Sequence, residues 1–192
     1  MILHETYSVP NVVISSIPVE EWLKDLIPPH IHSSAGDQSL LCLASARTAN
    51  SGSTPSCSSS IVYAACVPLI PGYFSGVGDL FSALVLGHYS AAVDHYGSAS
   101  SPPVLPLLPR AVSLALTKTQ AVLRLTVKYA SSLPPEERTA TDDELDQKDP
   151  ERLIQRMRGR ELRLVQGRKI LSGEAMGELR WLKEWADFWG AI

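Results

Sequence analysis

The segment with the strongest chemical content is Gly76-Val77-Gly78-Asp79, which runs into Leu80-Phe81-Ser82-Ala83-Leu84. Glycines let backbone N–H groups approach a ligand without interference from a Cβ. The first N–H groups of a helix have no internal partner and, with the helix dipole, favour an anion. A carboxylate at the head of such a helix can act as a base beside a stabilised oxyanion. Phosphoryl transfer to a hydroxyl needs that pair: a base for the alcohol and donors for the moving phosphoryl group. The simpler alternative is a turn at Gly76 and Gly78 with Asp79 as a helix cap, since Asp is a favoured N-cap residue. Asp79 is the one charged residue between Thr48 and Val93. A carboxylate in apolar company is costly to desolvate unless something compensates, and that isolation favours chemistry. The pattern is not the dinucleotide fingerprint and lacks the Lys-Ser/Thr ending of a P-loop.

A length of 192 residues suffices for one ordinary domain or part of a larger one. Hydrophobic residues make up 45% of the chain, enough for a core and against wholesale disorder. The pI near 5.9 and net charge of −3 argue against nucleic-acid coating as the main task. No apolar run approaches the roughly 20 residues that span a bilayer. Met1-Ile2-Leu3-His4-Glu5 has no basic region or cleavage signature, which argues against a secretory leader. Cys42, Cys57 and Cys66 cannot all pair, and none forms a C-x-x-C. Free thiols in a reducing compartment are the simplest reading: the cytoplasm, with the nucleus as a second setting. Of the charged residues, 13 lie in residues 1–130 and 24 in residues 131–192. The first part is therefore core-rich and the second mostly a solvated surface.

The elements that must position Asp79 follow from the pattern. Val12-Val13-Ile14 reads as a buried parallel strand. Residues 19–26 allow one or two helical turns with Trp22, Leu23 and Leu26 on one side, stopped by Pro28-Pro29. Leu40 to Ala44 and Ile61 to Val67 read as a hairpin across a Ser-rich loop at 45–60. Pro68 to Gly78 must be a shaped loop. Asp79 to Tyr89 reads as a helix apolar nearly all round, hence buried. Residues 97–109 form a proline-rich connector, and Ala111 to Ala130 a long helix with Val112, Leu116, Val122, Leu123 and Val127 available for a core face. Residues 131–149 read as a break and an acidic loop. Asp149-Pro150-Glu151 starts a helix, with Asp as cap and Pro at the first position, ending near Gly159. Glu161 to Gln166 reads as a strand. Trp181, Leu182, Trp185, Phe188 and Trp189 have the spacing of an amphipathic terminal helix.

Other groups carry less. His30-Ile31-His32 has no third ligand at a recognisable spacing, so a surface loop is preferred and no metal site is assigned. Arg152, Arg156, Arg158, Arg160 and Arg163 lie near Asp142, Asp143, Glu144 and Asp146 in sequence, so charge pairing is preferred to phosphate binding. Cys42 and Cys66 sit in strand-like runs and are expected to be buried; Cys57 is expected to be exposed.

Gly72-Tyr73-Phe74-Ser75-Gly76-Val77-Gly78-Asp79-Leu80-Phe81-Ser82-Ala83-Leu84 resembles the signature of the ribokinase-like kinases, and more narrowly that of the pyridoxal kinases of fungal type. Val9-Pro10-Asn11-Val12-Val13-Ile14-Ser15-Ser16 is similar to that family's strand ending in a Thr/Ser pair. Glu136 to Ala140 and Glu161 to Gln166 resemble a fungal run and the C-terminal strand. The resemblance implies an α/β, partial ribokinase-like fold: a mostly parallel sheet flanked by helices, with a β-hairpin flap. It makes residues 1–192 the C-terminal, ATP-side part of the kinase domain. It implies transfer of the ATP γ-phosphate to the 5′-hydroxyl of pyridoxal, pyridoxine or pyridoxamine, with Asp79 as catalytic base. Gly76, Val77 and Gly78 would form the anion hole. Ser15 and Ser16 would lie beside the ATP phosphates, and Val67, Ile70, Tyr73 and Phe74 along the nucleotide. Mg²⁺ is implied, with its usual ligands in a part of the family's fold not matched here, and a monovalent cation with it. A homodimer is implied; nucleic-acid and membrane partners are not. Two alternatives stand beside this reading: a non-catalytic remnant or binding half-domain, and a sister kinase acting on a hydroxymethylpyrimidine or a sugar.

Overall fold

A computed structural model describes residues 2–32, 38–47, 60–72, 74–96, 106–134 and 147–191. In chain order the elements are α1 (Ile2–Glu5), β1 (Asn11–Pro18), α2 (Glu21–Lys24), β2 (Ser39–Arg47), β3 (Ser60–Pro68), α3 (Val77–Tyr96), α4 (Leu107–Ser132), α5 (Pro150–Arg158), α6 (Arg168–Ser172), β4 (Lys183–Glu184) and α7 (Phe188–Ala191). Two compact units share them. One comprises Met1–Leu69, Val85–Leu114 and Arg180–Ile192; the other comprises Ile70–Leu84 and Ala115–Leu179. The Ser-rich positions 48–59, with Cys57, and the acidic positions 135–146, with Glu136 to Ala140, lie outside the described residues.

The first unit is built on a four-stranded sheet in the order β1-β2-β3-β4. The expected hairpin is present: β2 and β3 pair from Ser39↔Pro68 to Arg47↔Ser60. The α/β class stands, but the direction of the sheet does not. Every pairing between its strands is antiparallel. The β-branched run Val12-Val13-Ile14 suggested a strand buried on both faces. Instead β1 lies at the sheet's edge, and Ile14 is 48% exposed. A continuous apolar run does not by itself reveal strand direction, because a half-covered edge strand can carry the same residues.

Both faces of the sheet carry buried residues: Cys42, Ala44, Ala65 and Val67 on one, Leu41, Ala64 and Cys66 on the other. Leu41, Ala64 and Cys66 pack there with Leu23, Ile27, Ile31 and Trp185. Leu23 of α2 points into this cluster, but Trp22 is 62% exposed and its indole N–H donates to Glu20 at 2.9 Å. Helix α2 is a single turn, so it offers one inward position rather than a stripe. His30 and His32 use their Nε2 atoms on the carbonyls of Glu184 and Ile27, so both are occupied by backbone. Cys42 and Cys66 are buried and neither is in a disulfide.

The C-terminal segment departs most from its sequence pattern. It is not a helix from Leu179 to Trp189. Lys183 and Glu184 form β4 against Tyr63 and Ala64, and only Phe188–Ala191 is helical. The Leu182 N–H donates to Ser113 Oγ at 2.9 Å, and the Trp185 N–H to the Val62 carbonyl at 2.8 Å. Those bonds hold the backbone extended while Leu182 and Trp185 are buried. Tertiary pairing overrides the helical spacing here.

In the second unit, residues 115–132 of α4 bury Leu116, Val122 and Leu123, as the core face required. Asp149 caps α5, accepting from the N–H groups of Glu151 and Arg152 at 3.1 and 3.4 Å, with Gly159 at its end. Glu161 to Gln166 is not a strand. Only Glu161 pairs, in a single parallel bridge to Ser75. The Arg163 N–H donates to Thr126 Oγ1 at 3.2 Å, and the Gly167 N–H donates to the Arg163 carbonyl at 2.8 Å. The backbone groups a strand would offer to a neighbour are thus taken by Thr126 and by a turn within the segment. Val165 is left 80% exposed.

Candidate functional site

The glycine loop lies in the second unit. The Ser75 N–H donates to the Arg160 carbonyl at 3.2 Å, and Ser75 bridges Glu161. This pins the chain just before the glycines. Gly76 has φ of +80°, in the left-handed region that disfavours a Cβ. The Leu80 N–H then donates to the Gly76 carbonyl at 3.0 Å, closing the first turn of α3. Helix α3 therefore starts at Val77, two residues before the expected start, and runs to Tyr96. The N–H groups of Val77, Gly78 and Asp79 fall in its first turn, where no helical acceptor exists.

Two further facts describe the opening. An added Cβ at Gly76 or at Gly78 would meet no atom within 4 Å. Asp79 is exposed, in the first turn of α3. The isolation of Asp79 in sequence suggested a carboxylate in apolar surroundings; in this chain it faces open space. The expectation of a buried helix also fails. Phe81 is buried, whereas Ser82, Ala83, Leu86 and Gly87 are exposed. Apolar composition alone does not tell a covered helix from an open one.

Of the other proposed nucleotide contacts, Ile70 is half-buried and Phe74 half-buried in the same unit, while Tyr73 lies outside the described residues. A Cβ at Gly72 (φ +115°) would come within 3.3 Å of the Phe74 ring, so the ring lies over that glycine. Val67 belongs to the sheet unit and is buried in β3.

Ser15 and Ser16 also belong to the sheet unit, on β1. Their local geometry was not foreseen. The register between β1 and β2 shifts between Ile14 and Ile17, and Ser16 has φ of +61°. This is a β-bulge with a non-glycine residue in the left-handed region, and both serines are exposed. Bulges bend a strand and re-aim side chains, and backbone strain of this kind concentrates at functional sites. The sequence signal was available: two small hydroxyl residues interrupt a β-branched run. At the start of the same strand, the Asn11 side-chain amide donates to Tyr89 Oη at 3.0 Å, tying β1 to α3.

Among the described residues, no group of three or more His, Cys, Asp or Glu side chains is placed to hold a metal ion. Asp79 on its own does not make an Mg²⁺ site. Also among the described residues, no helix is long and apolar enough to cross a membrane.

No protein-family profile matches the chain. Over 135 residues it is 32% identical to a Schizosaccharomyces pombe protein named "putative pyridoxal kinase", covering 70% of this chain and 36% of that protein. The fold is similar to that of the Leishmania donovani pyridoxal kinase in complex with ADP and pyridoxamine. That match has a TM-score of 0.51 and 20% identity, over 93% of this chain and 40% of the other. The same kinase in complex with ADP matches with a TM-score of 0.51 and 21% identity, over 93% and 41%. The chain thus spans little more than a third of the curated relative's length, and its fold is part of the α/β fold of pyridoxal kinases.

Proposed function

We propose that this chain carries the phosphoryl-transfer centre of a pyridoxal kinase, acting on ATP and on the 5′-hydroxyl of a vitamin B6 vitamer. One observation carries the reading: a left-handed glycine opens a long helix whose first turn presents free N–H groups and the exposed carboxylate of Asp79. The similarity to pyridoxal kinases, some of them named as ADP complexes, supports the nucleotide and the acceptor class.

In this mechanism the vitamer's 5′-oxygen attacks the γ-phosphorus of ATP. The new O–P bond forms as the bond from the γ-phosphorus to the β–γ bridging oxygen breaks, and ADP departs with that electron pair. Asp79 takes the hydroxyl proton. The N–H groups of Val77, Gly78 and Asp79 donate to the equatorial oxygens, where charge is spread in the transition state. The left-handed Gly76 sets the direction of that first turn, and the space over Gly76 and Gly78 leaves room for the phosphoryl group. Ser15 and Ser16, on the bulge of β1, would supply hydroxyls to the ATP phosphates; Ile70, Tyr73 and Phe74, with Val67, would border the nucleotide. Mg²⁺ would neutralise phosphate charge when bound, but the residues described here do not make its site, and no step is assigned to it. The setting expected from the resemblance is the cytoplasm, and the assembly expected from it is a homodimer.

Asp79→Asn tests the mechanism. The change removes a base and keeps the side chain's size, so turnover should fall by roughly two to four orders of magnitude with nucleotide binding nearly unchanged. Turnover would be read by pyridoxal phosphate formation and binding by calorimetry with ADP, in this chain and in a longer form that includes it. Turnover in the active form within a few-fold of wild type would remove Asp79 from the role of base. A second reading, that the chain is a non-catalytic half-domain, is favoured by its coverage of 36% of the curated relative. Folded chain with no turnover, where a longer form is active, would establish it.

A further inference from the structure

The C-terminal half of α4 and the segment between α5 and α6 meet at an opening of about 300 Å³. It is lined by Leu125, Lys128, Tyr129, Ser132, Arg163 and Gln166, all in the second unit. None of them is proposed above for phosphoryl transfer or for the nucleotide. Leu125, Lys128, Tyr129 and Ser132 share one face of α4, because residues three and four apart are neighbours on a helix. Only Leu125 lacks a polar end. Lys128 and Arg163 are cations, and no carboxylate lines the opening.

Arg163 is held in place from several sides. Its guanidinium lies 4.0 Å over the centre of the Tyr129 ring. Its N–H donates to Thr126 Oγ1 at 3.2 Å, and its carbonyl accepts from the Gly167 N–H at 2.8 Å. Thr126 is fully buried, so the anchor belongs to the core. The charge pattern favoured pairing of this arginine with the acidic run at 142–146; among the described residues it meets an aromatic face instead. A guanidinium stacked on a ring keeps the N–H groups at its edge available to an anion. Among the described residues, neither Lys128 nor Arg163 is paired with a carboxylate. Two like charges that line one hollow repel each other, and an anion between them removes that cost.

We propose that this opening binds a small organic phosphate monoester, with the phosphate between Lys128 and Arg163 and the organic part against Leu125 and the stems of the two cations. Charge selects the headgroup. A phosphate monoester carries about −1.5 to −2 charges near neutral pH and three strong acceptor oxygens, whereas a monocarboxylate neutralises one cation only. Arg163 suits a bidentate contact to two of those oxygens, and Lys128 a single one. Gln166 and Tyr129 carry an amide and a hydroxyl donor at the same opening. Size selects the rest: ligand cavities run from about 300 to 1,000 Å³, so this one has room for the phosphate and a single ring or short chain. The apolar stems of Lys128 and Arg163 suit such a body. The inference does not depend on the kinase reading, since it shares no residue with that site and its test is a binding measurement.

The experiment titrates phenyl phosphate into the purified chain and reads binding by calorimetry. Wild type should bind it, less tightly as salt rises, and should bind benzoate and phenol at least about tenfold more weakly. Lys128→Gln and Arg163→Gln should each weaken phenyl phosphate at least about tenfold. Lys169→Gln, at an exposed position of the same unit outside the opening, should match wild type. ADP binding should be the same in all three variants, which separates this opening from the glycine loop. Circular dichroism checks folding; Lys128 is exposed, so Lys128→Gln decides the matter where Arg163→Gln fails to fold. No binding by folded wild type at millimolar phenyl phosphate overturns the proposal. So does binding indifferent to Lys128→Gln, which would place the probe at the glycine loop, or benzoate binding as tightly as phenyl phosphate. A phosphotyrosyl peptide that binds at least about tenfold more tightly than phenyl phosphate would give the opening to a protein ligand and overturn the small-molecule assignment. Tighter phenyl phosphate binding by D142N/D143N/E144Q/D146N would give it to the chain's own acidic run, with the same consequence. Phenyl phosphate binding as expected, with no ADP binding by wild type, leaves this proposal standing and counts against the kinase reading alone.

Discussion

Ser16, like Ser8, holds a left-handed backbone conformation that its residue type disfavours. A left-handed conformation costs a non-glycine residue about 1–2 kcal/mol, and Ser16 sits there at φ +61° inside a strand. Glycine would relieve that cost while adding about 0.5–1 kcal/mol of chain entropy to be lost on folding. Ser16→Gly should therefore raise stability by about 0.5–1 kcal/mol in urea denaturation. If the hydroxyl serves the ATP phosphates, the same variant should bind ADP more weakly. A variant less stable than wild type would show that the bulge is held by the serine side chain and not in spite of it. Cys42 offers a second test. Burial pushes its thiol up to about 12 from an ordinary 9.0, because the thiolate cannot be desolvated cheaply. The neutral thiol is favoured in the folded state, so its contribution is fully present below pH 9.0 and is lost as pH rises towards 12. The Cys42→Ala variant should lose less stability than wild type across that window. In the native chain at pH 8, Cys42 should not react with a thiol reagent; rapid labelling would contradict its burial.

At the scale of elements, the most transparent piece is α5. Its cap, its proline and its end were all readable, because capping is a local matter between Asp149 and two N–H groups within three residues. Asp149→Ala should remove about 0.5–2 kcal/mol of local helix stability, seen as faster amide exchange at Glu151 and Arg152. Unchanged exchange would mean that packing, not the cap, fixes the start of α5. The hairpin β2–β3 was readable for a similar reason: two β-favouring runs flank a Ser-rich break. The two elements misread share a cause. Glu161 to Gln166 and Leu179 to Trp189 carry strand-like and helix-like patterns, yet their backbones are claimed by distant partners. Thr126 takes the Arg163 N–H, and Ser113 and Val62 take those of Leu182 and Trp185. Nothing in the local spacing announces a partner 37 or 69 residues away. The glycine loop was legible because its chemistry is local as well: a left-handed turn, a helix start and an acid within four residues. The bulge at Ser15 and Ser16 was legible only as a pair of residue types, since a bulge is a property of two strands in register.

At the scale of the whole molecule, the misjudged burial of α3 and β1 points the same way. Both were read as core because they are apolar, and both are open: Leu86 on α3 is 67% exposed. Apolar residues face solvent at both places, so composition alone does not decide burial. Such a surface has a measurable signature. The native chain should bind an apolar dye such as ANS while keeping its near-ultraviolet dichroism, the combination that separates exposed native surface from a molten globule. The double variant Ile14→Glu/Leu86→Glu should cut dye fluorescence sharply and raise solubility, leaving the dichroism nearly unchanged, because both positions are at least about half exposed and lose little packing. Dye binding with the near-ultraviolet signal already lost would mean that the isolated chain does not hold a fixed tertiary structure. No dye binding at all would mean that these positions are covered in solution, and self-association would then be the surface's use.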